Sequence, residues 1–249
     1  MKNNIIKTGI VAAFAMATIF TSCQKMDEET KQAVVEEILS VNSEEEYDDL
    51  LSQVEKMTDE EFAQWEQQRG FTSFYTQAQK AYAGLDPDKV QTQEEIFEYV
   101  KNNAQFLQLI ESGEDYTLET TLSEYSTATQ RVLNQDRTIQ IGNDMLKIFK
   151  TGTAKTAIEN KQELVNMADE DFDGLTASDK IEVKRNLQPM TRDLLAKAYS
   201  SEVTGGANRL YMGLEIKFRV PVLTPNYVVE YTVRPYKRTL GVWFFCSWT

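Results

Sequence analysis

The chain has 249 residues, enough for one large domain or two small ones, with the 41% apolar and 26% charged content of a folded protein. Its 39 acidic side chains outnumber 26 basic ones, and a net charge of −13 repels phosphate backbones, so no nucleic-acid partner is expected. Histidine is absent, which removes Ser-His-Asp and Cys-His catalysis and every histidine-ligated metal site.

Residues 1–22 carry Lys2 and Lys7, an apolar run from Ile10 to Phe20, and then Thr21-Ser22 before Cys23. That is the layout of a cleaved export leader, and it is too short for a transmembrane span of ~20 apolar residues. With a cysteine at the cut it resembles a lipoprotein signal, although Phe20 stands where the strict motif prefers Leu. Cys23 is then the lipidated, palmitate-bearing N-terminus. Gln24-Lys25-Met26-Asp27-Glu28-Glu29 resembles the short acidic export signal of Bacteroidota lipoproteins carried to the outer face of the outer membrane. The resemblance implies an outer-membrane protein, held by a lipid anchor and facing the cell exterior.

Residues 23–42 read as an acidic tether, with a short helix expected around Val34–Leu39. Residues 26–66 hold 15 carboxylates and two lysines, nearly the whole charge imbalance, whereas residues 205–249 hold six basic and two acidic side chains. The acidic front reads as a solvated helical surface that keeps the chain soluble.

A helical region is expected over 43–130. Ser43 to Glu46, Thr58 to Glu61 and Thr92 to Glu95 are Ser/Thr-x-x-Glu boxes, in which the hydroxyl accepts from an orphan amide and the glutamate reaches back to the cap. Apolar residues follow each at helical spacing: Tyr47, Leu50, Leu51 and Val54; Phe62 and Trp65; Ile96, Val100, Leu107 and Ile110. A further helix restarts at Phe71-Thr72-Ser73 and carries Phe74, Tyr75, Ala78 and Tyr82. Gly70, Gly84 and Gly113 mark ends.

The remainder, 131–249, reads as an α+β region. Thr138–Ile141 and Met145–Phe149 flank Gly142-Asn143-Asp144 as a β-hairpin. Helices are expected over about 154–167 and 178–199, the second broken at Pro189. Leu210 to Val220 alternate strictly between apolar and polar, the clearest strand in the chain. Turns at Pro221–Asn226 and Pro235–Leu240 lead into Tyr227–Val233 and Val242–Trp248. The expected fold is α+β: short amphipathic helices first, then a mostly antiparallel sheet with interspersed helices, ending in a three-stranded meander that the 138–149 hairpin joins.

Few residues carry chemistry. Beyond Cys23 the only cysteine is Cys246, expected as a small buried hydrophobe, so no intrachain disulfide forms once Cys23 is lipidated. Gly152–Thr156 fails as a phosphate loop, because Ala154 stands where a glycine must precede the lysine. Asp169, Asp171 and Asp173, with Gly174 at position six, match the start of a calcium loop, but Lys180 occupies the position of the bidentate acid. Calcium is therefore the one cofactor considered. Trp243 and Phe245 share one face of the last strand, and beside them Lys217, Arg219, Lys237 and Arg238 complete an aromatic and basic surface suited to a glycan or partner protein.

Two stretches also resemble a family. Glu55-Lys56-Met57-Thr58-Asp59-Glu60-Glu61-Phe62 with Trp65-Glu66 and Gly70-Phe71-Thr72-Ser73-Phe74 resembles a segment of uncharacterised lipoproteins of gut Bacteroidota, a domain of unknown function. Leu133-Asn134-Gln135-Asp136 with Ile139-Gln140-Ile141-Gly142-Asn143 resembles a second segment of the same proteins, as does the basic, aromatic end. The resemblance implies a surface lipoprotein and nothing catalytic. The expectation is a non-enzymatic cell-surface lipoprotein binding an extracellular glycan or protein through its C-terminal sheet. The alternatives are an assembly accessory of an outer-membrane complex and, at the margin, a glycoside hydrolase using two carboxylates.

Overall fold

The structure, a computed structural model, describes residues 38–185, 200–205, 207–219 and 226–246. The leader, Cys23, most of the tether, the helical stretch beyond 185 with Pro189, the turn at 221–225 and Trp248 lie outside the described residues. Among those described, no helix is long and apolar enough to cross a membrane.

Four capped helices open the fold: α1 (Glu44–Glu55), α2 (Asp59–Arg69), α3 (Phe74–Ala83) and α4 (Gln93–Asn102). Ser43, Thr58, Ser73 and Thr92 each accept from the amide three residues on, as their hydroxyls require. Only Thr58 closes the full box, with Glu61 accepting from its N–H at 2.9 Å. The other two glutamates reach one residue further back, Glu46 to the Asn42 N–H and Glu95 to the Gln91 N–H.

The stretch just after α4 departs from the sequence reading. Leu107 and Ile110 do not continue the helix: β2 (Leu107–Ser112) and β3 (Asp115–Thr120) form an antiparallel hairpin inside the expected helical region. Gly113, at φ 67, supplies the left-handed turn residue that lets two strands reverse this tightly. A short α5 (Thr127–Val132) follows.

Two mixed, mostly antiparallel sheets result, and the α+β expectation holds. The first runs β1 (Ser40–Val41), β4 (Thr138–Ile141), β5 (Asp144–Phe149), β6 (Gly152–Ala157), β7 (Ile181–Arg185), with only β1–β4 parallel. The predicted 138–149 hairpin is thus real but belongs here and not with the meander. The alanines and threonines of β6 read as helix, yet pairing on both sides overrides that local preference; the helical part shrinks to a 3₁₀ turn and α6 (Lys161–Val165). Likewise β7 replaces the start of the expected second helix, its Ile-Glu-Val-Lys-Arg alternating as a strand does.

The second sheet runs β2, β3, β11 (Val242–Phe245), β10 (Asn226–Thr239), β9 (Asn208–Arg219), β8 (Ser200–Gly205). The meander β9–β10–β11 is antiparallel, and β11 pairs in parallel with β3. The expected turn at 235–240 is shorter than read, because Pro235 lies within β10. Its carbonyl accepts from the Cys246 N–H, so its missing amide faces the side where β11 ends, a place proline is tolerated.

Three clusters fill the interior. Leu50, Leu51 and Val54 of α1, Phe62, Phe74 and Val132 pack on Ile139, Leu146 and Ile148 of the first sheet. Phe149, Ala154, Leu164, Phe172 and Ile181 form a cluster of their own, so β5 contributes to two cores. Ile96 and Val100 of α4 cover Leu107, Leu118, Val242 and Phe244 of the second sheet.

Candidate functional site

The parallel pairing of β3 with β11 lasts two residues, Tyr116 with Val242 and Thr117 with Trp243. Beyond it the Phe245 N–H donates to the Tyr82 hydroxyl of α3 at 2.6 Å instead of to β3. Where the two strands part there is a cleft of about 180 Å³. Tyr82, Tyr236 and Phe245 supply aromatic walls, and Glu119, Arg234 and Gln79 supply polar groups. The Phe245 ring meets Tyr236 edge to face at 6.3 Å and is 42% exposed, one of two large apolar side chains so exposed among the described residues.

The phenols here stay protonated. Burial raises Tyr82 well above the ordinary value of 10.0, and burial likewise raises Tyr236 against the opposing charge and hydrogen bond of Arg234. With its oxygen taken by the Phe245 amide, Tyr82 keeps a proton to donate. The cleft thus combines apolar rings with hydroxyl donors, one guanidinium and one carboxylate. Among the described residues Glu119 is the single acid lining it, so the two-carboxylate geometry of glycoside hydrolysis is not assembled here.

The predicted aromatic and basic surface divides. Phe245 lines the cleft. Trp243 instead is 6% exposed, its indole N–H donating to Asp115 Oδ2 at 3.1 Å and its ring lying under Arg209 at 4.7 Å and Arg238 at 6.0 Å. Arg238 is paired with Asp115 and Lys237 with Asp88. Register puts Lys237 opposite Phe244, on the face away from Trp243. These groups hold the sheet to its neighbours. Lys217 and Arg219 sit in β9 opposite Val228 and Asn226, and their side chains lie outside the described part.

Asp169, Asp171 and Asp173 are not brought together as a calcium site. They form a short helix, α7 (Asp169–Gly174), on which Asp171 points away from Asp169 and Asp173. Asp169 binds Arg137 at 2.7 Å and accepts from the Lys150 N–H; Asp171 caps Ala168; Asp173 accepts from the Thr151 hydroxyl. Among the described residues no group of three or more His, Cys, Asp or Glu side chains is placed to hold a metal ion. Cys246 is half-buried, not fully buried as expected.

Sequence reasoning missed Glu119, Arg234, Tyr82 and Tyr236. They come from β3, β10 and α3, and no spacing along the chain links them. The family-like segments are explained structurally. Glu66 accepts from the Ser73 N–H at 2.6 Å and the Thr76 hydroxyl at 2.7 Å, fixing the start of α3. Asn134 accepts from both the N–H and the hydroxyl of Thr138.

No family model and no curated protein matches the chain. Among solved structures it is similar to a DUF4848 family protein from Bacteroides thetaiotaomicron VPI-5482, with a TM-score of 0.39 and 13% identity over 83% of this chain. The match spans 66% of that protein's length, just under two thirds.

Proposed function

We propose that this is a lipid-anchored protein of the outer cell surface that binds an extracellular glycan or protein and does no chemistry on it. The binding place is the cleft between α3 and the second sheet. One observation carries this: Phe245, an exposed aromatic, shares one concave site with Tyr82, Tyr236, Glu119 and Arg234. The anchor rests on the leader that ends at Cys23 and the acidic residues after it. The accessory alternative needs an exposed apolar stripe over residues 47–82, but Tyr47, Leu51, Val54, Phe62, Phe74 and Ala78 are all buried.

Thermal unfolding of the purified protein against a glycan panel tests the binding. A ligand of the folded state at a hundredfold excess over its Kd adds ~2.7 kcal/mol of stability, and Phe245→Ala is expected to abolish the shift. A shift that survives Phe245→Ala places binding elsewhere. Labelling cells with a palmitate analogue tests the anchor: Cys23→Ser loses the label, and retention of the label in that variant refutes it.

A further inference from the structure

We infer that the cleft takes an extended, uncharged segment of a partner protein, which pairs by its backbone with the end of β3 and seats one apolar side chain among Phe245, Tyr82 and Tyr236. The inference rests on the binding reading above and chooses protein over glycan as the ligand. What leads to it is an interrupted ladder.

Backbone groups on a strand point alternately to its two neighbours. In β3 the Tyr116 N–H donates to the Gly241 carbonyl at 2.9 Å, on the β11 side, whereas just past the strand the Thr121 N–H donates to the Phe106 carbonyl, on the β2 side. Leu118 and Thr120 therefore face β11, as Tyr116 does. Parallel pairing carried past Thr117 and Trp243 would set the Phe245 N–H on the Leu118 carbonyl and the Thr120 N–H on the Phe245 carbonyl. Neither rung forms. The Phe245 N–H goes to the Tyr82 hydroxyl, and among the described residues no hydrogen-bond partner meets the Leu118 carbonyl or the Thr120 N–H. Leu118, Glu119 and Thr120 all line the cleft, so the backbone of β3 itself borders it. An acceptor and, two residues on, a donor are what a single residue of an added parallel strand satisfies, which is how an exposed sheet edge captures a peptide.

The surroundings set what the segment must be. Glu119 and Arg234 are engaged within the protein, Arg234 with the Tyr236 hydroxyl, so neither charge is offered to a ligand. Gln79 and Thr127, which have no hydrogen-bond partner among the described residues, are neutral and suit peptide groups. At about 180 Å³ the cleft admits one large side chain, and Tyr82, Tyr236 and Phe245 make its walls aromatic. Burial of that side chain supplies the affinity, because neutral hydrogen bonds contribute little net. Tyr82 is a positioning residue: by taking the Phe245 amide it keeps the two strands apart.

The test uses the full-length protein and capped five-residue peptides, threonines around a central phenylalanine, leucine or glycine, with methyl glycosides of neutral and acidic hexoses as rival probes. Isothermal titration is expected to show the phenylalanine and leucine peptides binding more tightly than the glycine peptide. Hydrogen exchange followed by NMR is expected to show the Thr120 amide slowed when peptide is present. N-methylation, one peptide residue at a time, is expected to weaken binding about threefold to tenfold at the position whose N–H meets the Leu118 carbonyl. Tyr82→Phe releases the Phe245 N–H to the Leu118 carbonyl and is expected to weaken the peptide in a folded protein. Phe245→Ala, a change at an exposed position, removes the seat without unfolding the protein. Peptide binding that leaves Thr120 exchange unchanged and tolerates N-methylation at every position overturns the backbone pairing but keeps the binding reading. Binding of a glycoside with every peptide silent does the same. No response to any probe, with circular dichroism showing the protein folded, overturns both.

Discussion

Replacing Arg131 by alanine tests what holds the helical half together. The side chain comes from α5 and is 5% exposed, and its guanidinium donates to the carbonyls of Val54 and Met57, both at 2.8 Å. Val54 lies in the last turn of α1 and Met57 in the link to α2, so the guanidinium ties the end of one helix to the start of the next. A third bond goes to Asp59, and the guanidinium plane lies 4.7 Å from the Phe62 ring and 5.0 Å from that of Tyr75. Each hydrogen bond from a charged donor to a buried carbonyl contributes ~1.5–3 kcal/mol, and the ring contacts ~0.5–2 together. The Asp59 side chain is 72% exposed, so its ion pair is worth only ~0–1 kcal/mol. Against these stands the Arg131 Nε, which is buried without a hydrogen-bond partner, so part of the gain is already offset. The expected loss is about 3–4 kcal/mol, which for a domain of this size lowers Tm by about 10 °C. Urea and thermal unfolding followed by circular dichroism measure it, with Asp59→Ala as the companion variant. A loss below about 1 kcal/mol, or an equal loss from Asp59→Ala, refutes the argument, because the carbonyls and not the carboxylate are credited with the work.

Other expectations concern single positions. Glu66→Ala strips the Ser73 amide of its buried acceptor and is expected to cost about 1–3 kcal/mol, with α3 fraying first in hydrogen exchange. Gly152→Ala places a Cβ 2.4 Å from the Lys184 carbonyl and 2.7 Å from the Phe172 ring, and the overpacking is expected to cost at least about 1–3 kcal/mol in the same melts. Tyr75, Tyr82 and Tyr236 all have phenols raised by burial above 10.0, so the stability they give is complete below pH 10 and is lost as pH climbs through their folded values. Lys147 runs the other way: burial lowers it from 10.5, so stability rises between its folded value and 10.5. The net expectation is a falling Tm above pH 10 that becomes shallower in Tyr82→Phe; an unchanged slope in that variant sinks the assignment.

How much of this was legible depended on range. The caps at Ser43, Thr58, Ser73 and Thr92 are local events of three or four residues, and the sequence announces them. The long alternating strand β9 is equally plain. The hairpin β2–β3 was hidden because Leu107 and Ile110 satisfy a helical period as well as a strand, and only pairing with β11, distant in the chain, decides between them. The strand β6 was hidden for a similar reason, since Ala154 and Ala157 favour helix until β5 and β7 flank them. For the site, Phe245 was visible as an aromatic in a two-faced apolar strand. Its partners were not, because Tyr82, Glu119 and Arg234 meet only where two strands diverge. Trp243, Lys237 and Arg238 looked equally promising, and nothing local reveals that Asp115 and Asp88 already hold them.

The parallel pairing of β11 with β3 also dictates an order of assembly. Tyr116 and Val242 are separated by 126 positions, and β11 alone connects the β2–β3 hairpin to the β8–β10 ladder. During synthesis or export in the N-to-C direction, the hairpin is therefore complete long before its neighbour exists, and the two halves of the sheet wait for residues 242–245 to arrive. So distant a closure raises the contact order and makes joining the halves a slow, late event. Until then β3 presents an unpaired edge, a surface on which a second nascent copy could misregister.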